Sequence, residues 1–337
     1  MRSKCSSLAL SMVCCGTIAS SAADPDPSAA AFRGVNWADG RDNFVDGWII
    51  PSGIDHQLTE AQVAKQAAQL LAQFQSLLSI NTIRLGINPD TVLDANWWPK
   101  YRALIREAEK KNLKVILACW ESKSKKDGKI DDEDRFQQMW HQVIREFDDD
   151  EAIHFEIFNE PFGYSDEEWR NIAHDWMNRY VGAIADHDKS RILVSGSGYN
   201  ENLLHVGADQ RFAGCRLSFH LYSWFGGKHL SPDAWKKELQ QRIGQENVSR
   251  TIVTEWGAPM KNRSIPYHLG QSPMTVDQAF LLGMSEFIRE GKMGSIYWPG
   301  LRDGDEFSLL ERVRETSELR LTNESGKVLL LDSFGKP

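Results

Sequence analysis

The sequence is poor in cysteine. Five occur in 337 residues, at Cys5, Cys14, Cys15, Cys119 and Cys215. The first three fall in an N-terminal segment that reads as removable, which leaves Cys119 and Cys215. Two cysteines in a chain of this length do not make a disulfide scaffold. An oxidising compartment permits one bridge between them but does not imply it. Both sit at or near expected strands, where buried free thiols are common. No CxxC, HExxH or HxH spacing occurs, so neither a metal site nor a cofactor is expected. Long apolar runs are missing too. Leu8 to Ala19 is a short apolar stretch, below the ~20 residues that span a bilayer, so no membrane span is expected. A basic stripe is also absent. The formal net charge is −8, and an acidic chain without clustered Lys and Arg argues against nucleic-acid binding. The basic cluster Lys123, Lys125, Lys126 and Lys129 adjoins Asp131, Asp132, Glu133 and Asp134, as in a solvated loop. Ser195-Gly196-Ser197-Gly198 completes no GxSxG pattern and reads as a tight turn. There is no internal repeat and no low-complexity tract.

What is present begins with an export signature. Arg2 and Lys4 precede the apolar stretch, and Ser20, Ser21, Ala22 and Ala23 follow it. Residues 1–23 therefore read as a secretory signal peptide, and a secreted or periplasmic location is expected. Residues 24–31 read as a linker, and 32–337 as one catalytic domain. Hydrophobic content of 41% and charged content of 26% suit a soluble globular fold. Twelve Trp exceed what a core of this size needs. Flat apolar rings supply surfaces on which sugar rings stack, so the expected partner is a carbohydrate. The sequence carries no signature of oligomeric state.

Beyond residue 31, strand-type and helix-type runs alternate. Strands are expected at Phe32–Trp37, Thr82–Gly86, Lys114–Cys119, His154–Asn159, Arg191–Ser195, Arg216–Tyr222, Thr251–Glu255 and Gly294–Trp298. Amphipathic helices lie between them. Val63, Ala67, Leu70, Leu71, Phe74, Leu77 and Leu78 recur at helical spacing. Phe136, Met139, Trp140, Val143, Ile144 and Phe147 make a second stripe. Trp169, Ile172, Ala173, Trp176 and Tyr180 make a third, and Phe280, Leu281, Met284, Phe287 and Ile288 a fourth. Thr59 with Gln62, and Ser165 with Glu168, read as capping boxes. Alternation of this kind implies parallel strands joined by crossover helices. A count of eight, and no glycine-rich phosphate loop after the first strand, favour a closed (β/α)8 TIM barrel over an open doubly wound sheet. Residues 323–337 are expected to close the barrel or pack across its base.

Barrel chemistry sits at the C-terminal strand ends, and here those ends are polar. They carry Arg84, Asn159-Glu160, His220 and Tyr222, Glu255, and Trp298. Two glutamates after strands 4 and 7 face each other across the mouth. Glycosidic cleavage needs such a pair, one to protonate the leaving oxygen and one to attack the anomeric carbon. Arg84 and Tyr222 are suited to hold Glu255 ionised. Asn159 is suited to the sugar 2-hydroxyl. His220 is placed to tune Glu160 or position the sugar. Trp37, Trp120 and Trp298 are further candidates for sugar contact, with Trp224 and Trp256 nearby. Glu156 reads as the partner of a buried cation. The long loop from Ala38 to Leu58 is placed to wall off one end of the cleft.

The ordered set of motifs resembles the family 5 glycoside hydrolases, the cellulase family. It comprises Thr82-Ile83-Arg84-Leu85, Phe155-Glu156-Ile157-Phe158-Asn159-Glu160-Pro161, His220-Leu221-Tyr222, Thr254-Glu255-Trp256-Gly257 and Trp298. The resemblance implies a retaining double displacement on a β-linked glycan such as a β-glucan or a mannan. It also implies Glu160 as acid/base and Glu255 as nucleophile. One position departs from the family pattern. A histidine is usual at the end of strand 3, and this sequence reads Ala118-Cys119-Trp120, which points to a divergent subfamily. A non-catalytic carbohydrate-binding barrel is the competing class. The intact pair of facing carboxylates argues against it.

Overall fold

The computed structural model describes residues 28–262, 265–270, 273–314 and 316–335. The expected signal peptide at 1–23 and residues 24–27 of the expected linker lie outside the described residues. Eight parallel strands form the barrel: β1 (Arg33–Trp37), β2 (Thr82–Ile87), β3 (Lys114–Cys119), β4 (Ile153–Glu156), β5 (Ile192–Ser195), β6 (Arg216–His220), β7 (Thr251–Glu255) and β8 (Gly294–Leu301). Each pairs with the next in sequence, and β8 pairs back on β1 through Gly34 with Ile296 and Val35 with Tyr297. That last pairing closes the eight strands into a barrel.

The helices follow the sequence periodicity. Glu60–Leu78 starts at the Thr59–Gln62 capping box and buries Val63, Ala67, Leu70, Leu71, Phe74 and Leu78. Glu133–Phe147 and Asp166–Tyr180 bury the second and third apolar stripes against the barrel. Val276–Gly291 buries the fourth, behind a capping box from Thr275 to Gln278. Between β5 and β6 the crossover carries short turns, Ser197–Asn200, Leu204–Ala208 and Gln210–Phe212.

The helix Glu324–Ser333 closes the ring. Ser285 donates to the Leu329 carbonyl at 2.9 Å, and Ser333 bonds Ser295 of β8 at 2.8 Å. Before it, a hairpin of β9 (Leu310–Arg312) and β10 (Leu319–Leu321) extends the sheet from β8. The sequence reading contains no such hairpin.

The barrel interior is two-tiered. Ile116, Leu193, Ile252 and Ile296 form an apolar plug with Phe32, Ala29 and Ala31. Ala29–Ala31 is therefore a buried turn, not the end of a linker; alanine is small enough to fit under the strands. Above the plug the inward positions turn polar, with Asn36, Arg84, Glu156, Ser218 and Thr254, all fully or nearly fully buried. Buried polar groups demand partners, and this tier is the foundation of the site. Cys119 and Cys215 are both buried free thiols. Asn247 and Asn323, which begin Asn-x-Ser sequons, have buried side chains engaged with the Ile243 carbonyl and with a helix cap. Among the described residues no helix is long and apolar enough to cross a membrane.

Candidate active site

Arg84 organises the barrel mouth. Its side chain is buried, and all of its nitrogens find oxygen. Nε and Nη2 grip the two oxygens of Glu156 at 2.7 and 2.9 Å. Nη1 donates to Asn36 Oδ1 at 2.9 Å and to Glu255 Oε1 at 2.6 Å. Nη2 also donates to Asn159 Oδ1 at 2.7 Å. Burial works against the charge on Arg84, but Glu156 and Glu255 outweigh it, so the guanidinium is held more firmly protonated than usual. Glu156 is the cation partner expected of it, and Ser218 adds a hydroxyl at 2.9 Å.

Glu255 is the last residue of β7 and is 3% exposed. Arg84 holds one oxygen, and the Tyr222 hydroxyl donates to the other at 2.8 Å. Glu160 stands just beyond β4 with 15% of its side chain exposed. His220, the last residue of β6, places Nδ1 at 3.0 Å from Glu160 Oε1 and Nε2 at 3.6 Å from Glu255 Oε1. Carboxyl oxygens of Glu160 and Glu255 and a ring nitrogen of His220 all lie within 4.8 Å of one another.

The electrostatics separate the two glutamates. Burial pushes Glu160 well above the usual carboxyl range, and the charge of Glu255 pushes it further. Burial raises Glu255 as well, to about 7, but Arg84 and the Tyr222 hydroxyl pull the other way. Only Glu255 has a fixed cation and a hydroxyl on its oxygens, so the first proton to leave the pair leaves Glu255. Burial, aided by the Arg84 charge, drives His220 well below its ordinary value and keeps it neutral. A neutral imidazole with its proton on Nε2 faces Glu255 with a donor and accepts from protonated Glu160 at Nδ1.

Three buried nitrogens at this site have no hydrogen-bond partner, one of them the His220 Nε2 that faces Glu255 at 3.6 Å. Asn159 spends its oxygen on Arg84, which aims its buried amide nitrogen outward unpaired. The buried indole nitrogen of Trp120 is unpaired too. Unmet buried donors are costly in a resting protein and natural in a binding site. Glu160, His220 and Glu255 also offer a geometric set for a metal ion. The chemistry of the set opposes one, because a dication there would stand beside the Arg84 guanidinium that already holds Glu255.

These groups floor a cavity of about 360 Å³, lined among others by Trp120, Glu160, Tyr222, Glu255 and Trp298. Of the expected sugar-contacting residues, Arg84, Asn159, His220, Tyr222, Trp120 and Trp298 gather here. Trp37 does not. It is 1% exposed, packs edge-on against Phe74, and donates its indole N–H to the Ser52 carbonyl. Strand alternation explains this: Asn36 points into the barrel, so Trp37 points to the helices. Trp256 is likewise core, bonded to Ser295. Asn36 is the residue that sequence reading missed, and the same alternation was its signal. Phe44, Phe162, Tyr199, Phe225, Arg302 and Phe307 also line the cavity. They come from loops, where no periodicity marks them.

Known structures share the architecture. One is XacCel5A, at 17% identity and a TM-score of 0.62, covering 91% of this chain and 99% of that one. A second is a hyperthermophilic endocellulase from the archaeon Pyrococcus horikoshii, at 15% identity and 0.63, covering 90% and 92%. A third is the alkaline cellulase K catalytic domain, at 14% and 0.60, covering 91% and 88%. Among curated protein sequences none matches. Residues 53–299 match the family described as cellulase (glycosyl hydrolase family 5). With that match spanning most of the barrel, the chain belongs to glycosyl hydrolase family 5.

Proposed function

We propose that the protein is a retaining β-glycosidase acting on β-linked glucans or closely related glycans. Glu255 is the nucleophile and Glu160 the acid/base. The observation that carries this is the pair itself, with carboxyl oxygens within 4.8 Å of each other in unlike environments. Retaining enzymes hold their carboxyls ~5–5.5 Å apart, whereas inverting ones need ~6.5–9.5 Å to admit a water.

In the first step, Glu255 attacks the anomeric carbon while protonated Glu160 gives its proton to the leaving oxygen. As Glu255 becomes an ester its negative charge is lost, and Glu160 becomes the carboxylate. Glu160 then takes a proton from water, which attacks the anomeric carbon, breaks its bond to the Glu255 oxygen and frees the Glu255 carboxylate. Neutral His220 lies between the pair, bonded to Glu160 and 3.6 Å from Glu255, and its two tautomers suit the two states of Glu160. The free amide of Asn159 meets the sugar 2-hydroxyl, a contact that strengthens in the transition state.

The glucan preference is taken from the structural relatives, which are described as cellulases, one of them in complex with cellopentaose. The signal-like segment at 1–23 directs such an enzyme out of the cytoplasm, where polymeric glycans are met. The test is hydrolysis of a panel of β-linked polysaccharides and aryl β-glycosides, with product anomers followed by NMR. Glu255→Ala is run in parallel. Retained anomeric configuration with an inactive variant supports the reading. An inverted product, or an active Glu255→Ala, overturns it.

A further inference from the structure

The mouth of the barrel is lopsided. On one side, the loops after β1, β3 and β8 meet at a single carboxylate. Asp42 Oδ2 lies 3.6 Å from Lys125 Nζ and 3.7 Å from Arg302 Nη2, and Arg302 bonds Asp305 at 2.6 Å. Exposed ion pairs contribute little energy, so the position of Asp42 has to come from its own loop. Asp39 accepts two bonds from the Arg41 guanidinium, at 2.9 and 2.7 Å, and one from the Ile50 amide at 2.7 Å. Asn43 accepts from the Asp39 amide at 2.9 Å. Between these anchors Asp42 is held at φ +74°, in the left-handed region that costs most side chains energy.

Beneath this tie lies a pile of aromatic rings. Phe44 tilts onto Trp120 with centroids 4.6 Å apart, and Trp120 stacks on Trp298 at 5.3 Å and 16°. Trp120 is 2% exposed and Trp298 7%. The broad face of Trp298 that meets Trp120 is therefore covered by protein, not open to a sugar ring.

The opposite side is an open shelf built from the loops after β4, β5 and β6. Phe162 stacks on Tyr199 at 4.2 Å, Tyr199 meets Phe225 at 5.0 Å, and Trp224 lies parallel to Tyr222 at 4.5 Å. Tyr199 is 38% exposed and Trp224 53%. Glu160 belongs to this side, two residues before Phe162.

The chemistry gives the cleft a direction. The sugar that is attacked has its anomeric carbon at Glu255, and the departing oxygen lies at Glu160. The departing part of the chain thus runs out over the aromatic shelf. The retained part runs toward Trp120 and Asp42, where the mouth is shut. The cavity of about 360 Å³ lies between the two sides, lined by Asp42, Phe44 and Trp120 on one and by Tyr199 and Trp224 on the other. Resting on the glycosidase reading above, we propose that the enzyme cuts at chain ends, removing one sugar at a time from the non-reducing terminus of β-linked oligosaccharides. Asp42, Phe44 and Trp120 form the barrier, and the shelf of Tyr199 and Trp224 carries the departing rings.

The test takes the pentasaccharide of whichever β-linked glycan the hydrolysis panel selects, reduced to its alditol so that the two ends are distinguishable. The wild-type protein is expected to release a monosaccharide and a four-ring alditol first. Its action on the parent polymer is expected to release sugar with little fall in viscosity. First products of two or three rings, with a rapid loss of viscosity, overturn chain-end action and leave hydrolysis standing. Failure to cut any β-glycoside overturns the glycosidase reading, and this proposal with it. In the double variant Asp42→Ala with Phe44→Ala, the first released product is expected to lengthen to two rings or more. An unchanged single-sugar product from that variant removes those side chains from the barrier.

Discussion

Arg84 Nη1 lies 2.6 Å from Glu255 Oε1, and the rest of the same guanidinium is spent on Glu156, Asn36 and Asn159. Glu255, the proposed nucleophile, is thus held by a cation that is itself fixed from β1 and from the end of β4. Replacing Arg84 with Met leaves Glu156 and Glu255 buried without their cation. Breaking a buried pair in this way costs ~3–5 kcal/mol. Thermal denaturation of Arg84→Met is expected to show a Tm lowered by several degrees, together with loss of activity. Lysine is expected to rescue neither fully, because a point charge cannot serve five acceptor oxygens in fork geometry.

The pH profile follows from the two carboxyls. In the proposed mechanism, activity needs Glu255 ionised and Glu160 protonated. Burial raises Glu255 to about 7, so activity rises with pH through that region. Glu160 is pushed well above the usual carboxyl range, so the fall comes at higher pH. A bell-shaped kcat/KM profile with a neutral to mildly alkaline optimum is expected. An optimum below pH 5 contradicts this assignment.

Glu160→Gln is expected to be more stable than the wild type, and only where the carboxylate is charged. The folded-state value of Glu160 lies above its ordinary value of 4.5. In the window between those values the unfolded chain ionises this group and the folded chain resists, so wild-type stability falls as pH rises through it. Glutamine does not ionise. Its Tm advantage is expected to be near zero at pH 4 and a few degrees at pH 8. Glycoside hydrolysis is expected to drop ~10²–10⁴-fold, the usual contribution of a general acid. Aryl glycosides with good leaving groups, which need no proton, lose least.

Trp224→Ala tests the aromatic shelf. The side chain is 53% exposed and lies on Tyr222, so stability is expected to change by no more than ~0.5 kcal/mol. Loss of one aromatic stack, ~0.5–1.5 kcal/mol, corresponds to a fall of about 2- to 10-fold in kcat/KM on oligosaccharides. Aryl monoglycosides, which do not reach along the shelf, are expected to respond less.

The fold was legible because its signals are local. β3 and β7 fall where the apolar runs place them, and the capping boxes at Thr59 and Ser165 start their helices. β4 ends at Glu156, short of the expected Asn159, because its ladder to β5 consists of Phe155 with Ile192 and Glu156 with Leu193. Past that point Ile157–Glu160 continues without regular pairing and delivers Glu160 to the mouth. Glu160 and Glu255 stand out in the sequence as a candidate pair because barrel chemistry is restricted to strand ends. The direction of Trp37 was open to a count of alternate residues, which places Asn36 inside the barrel. Of the cleft's walls, the sequence marks the loop 38–58 but not the groups that meet it. Asp42 and Arg302 meet because β8 closes on β1, and no window along the chain spans that contact. Lys125 belongs to a charge cluster that reads as solvated, yet it reaches the mouth through the same carboxylate.

The central claim is that Glu255 forms a covalent bond to the sugar. The most direct measurement is intact-protein and peptide mass spectrometry after incubation with a 2-deoxy-2-fluoro β-glycoside bearing a good leaving group. Fluorine at that position slows the release of the intermediate more than its formation is slowed when the leaving group is activated. The expected result is a gain of one fluoroglycosyl unit, located on the peptide containing Glu255 and absent from Glu255→Gln. A label on another residue, or β-glycoside cleavage with inverted configuration and no adduct on Glu255, contradicts the account.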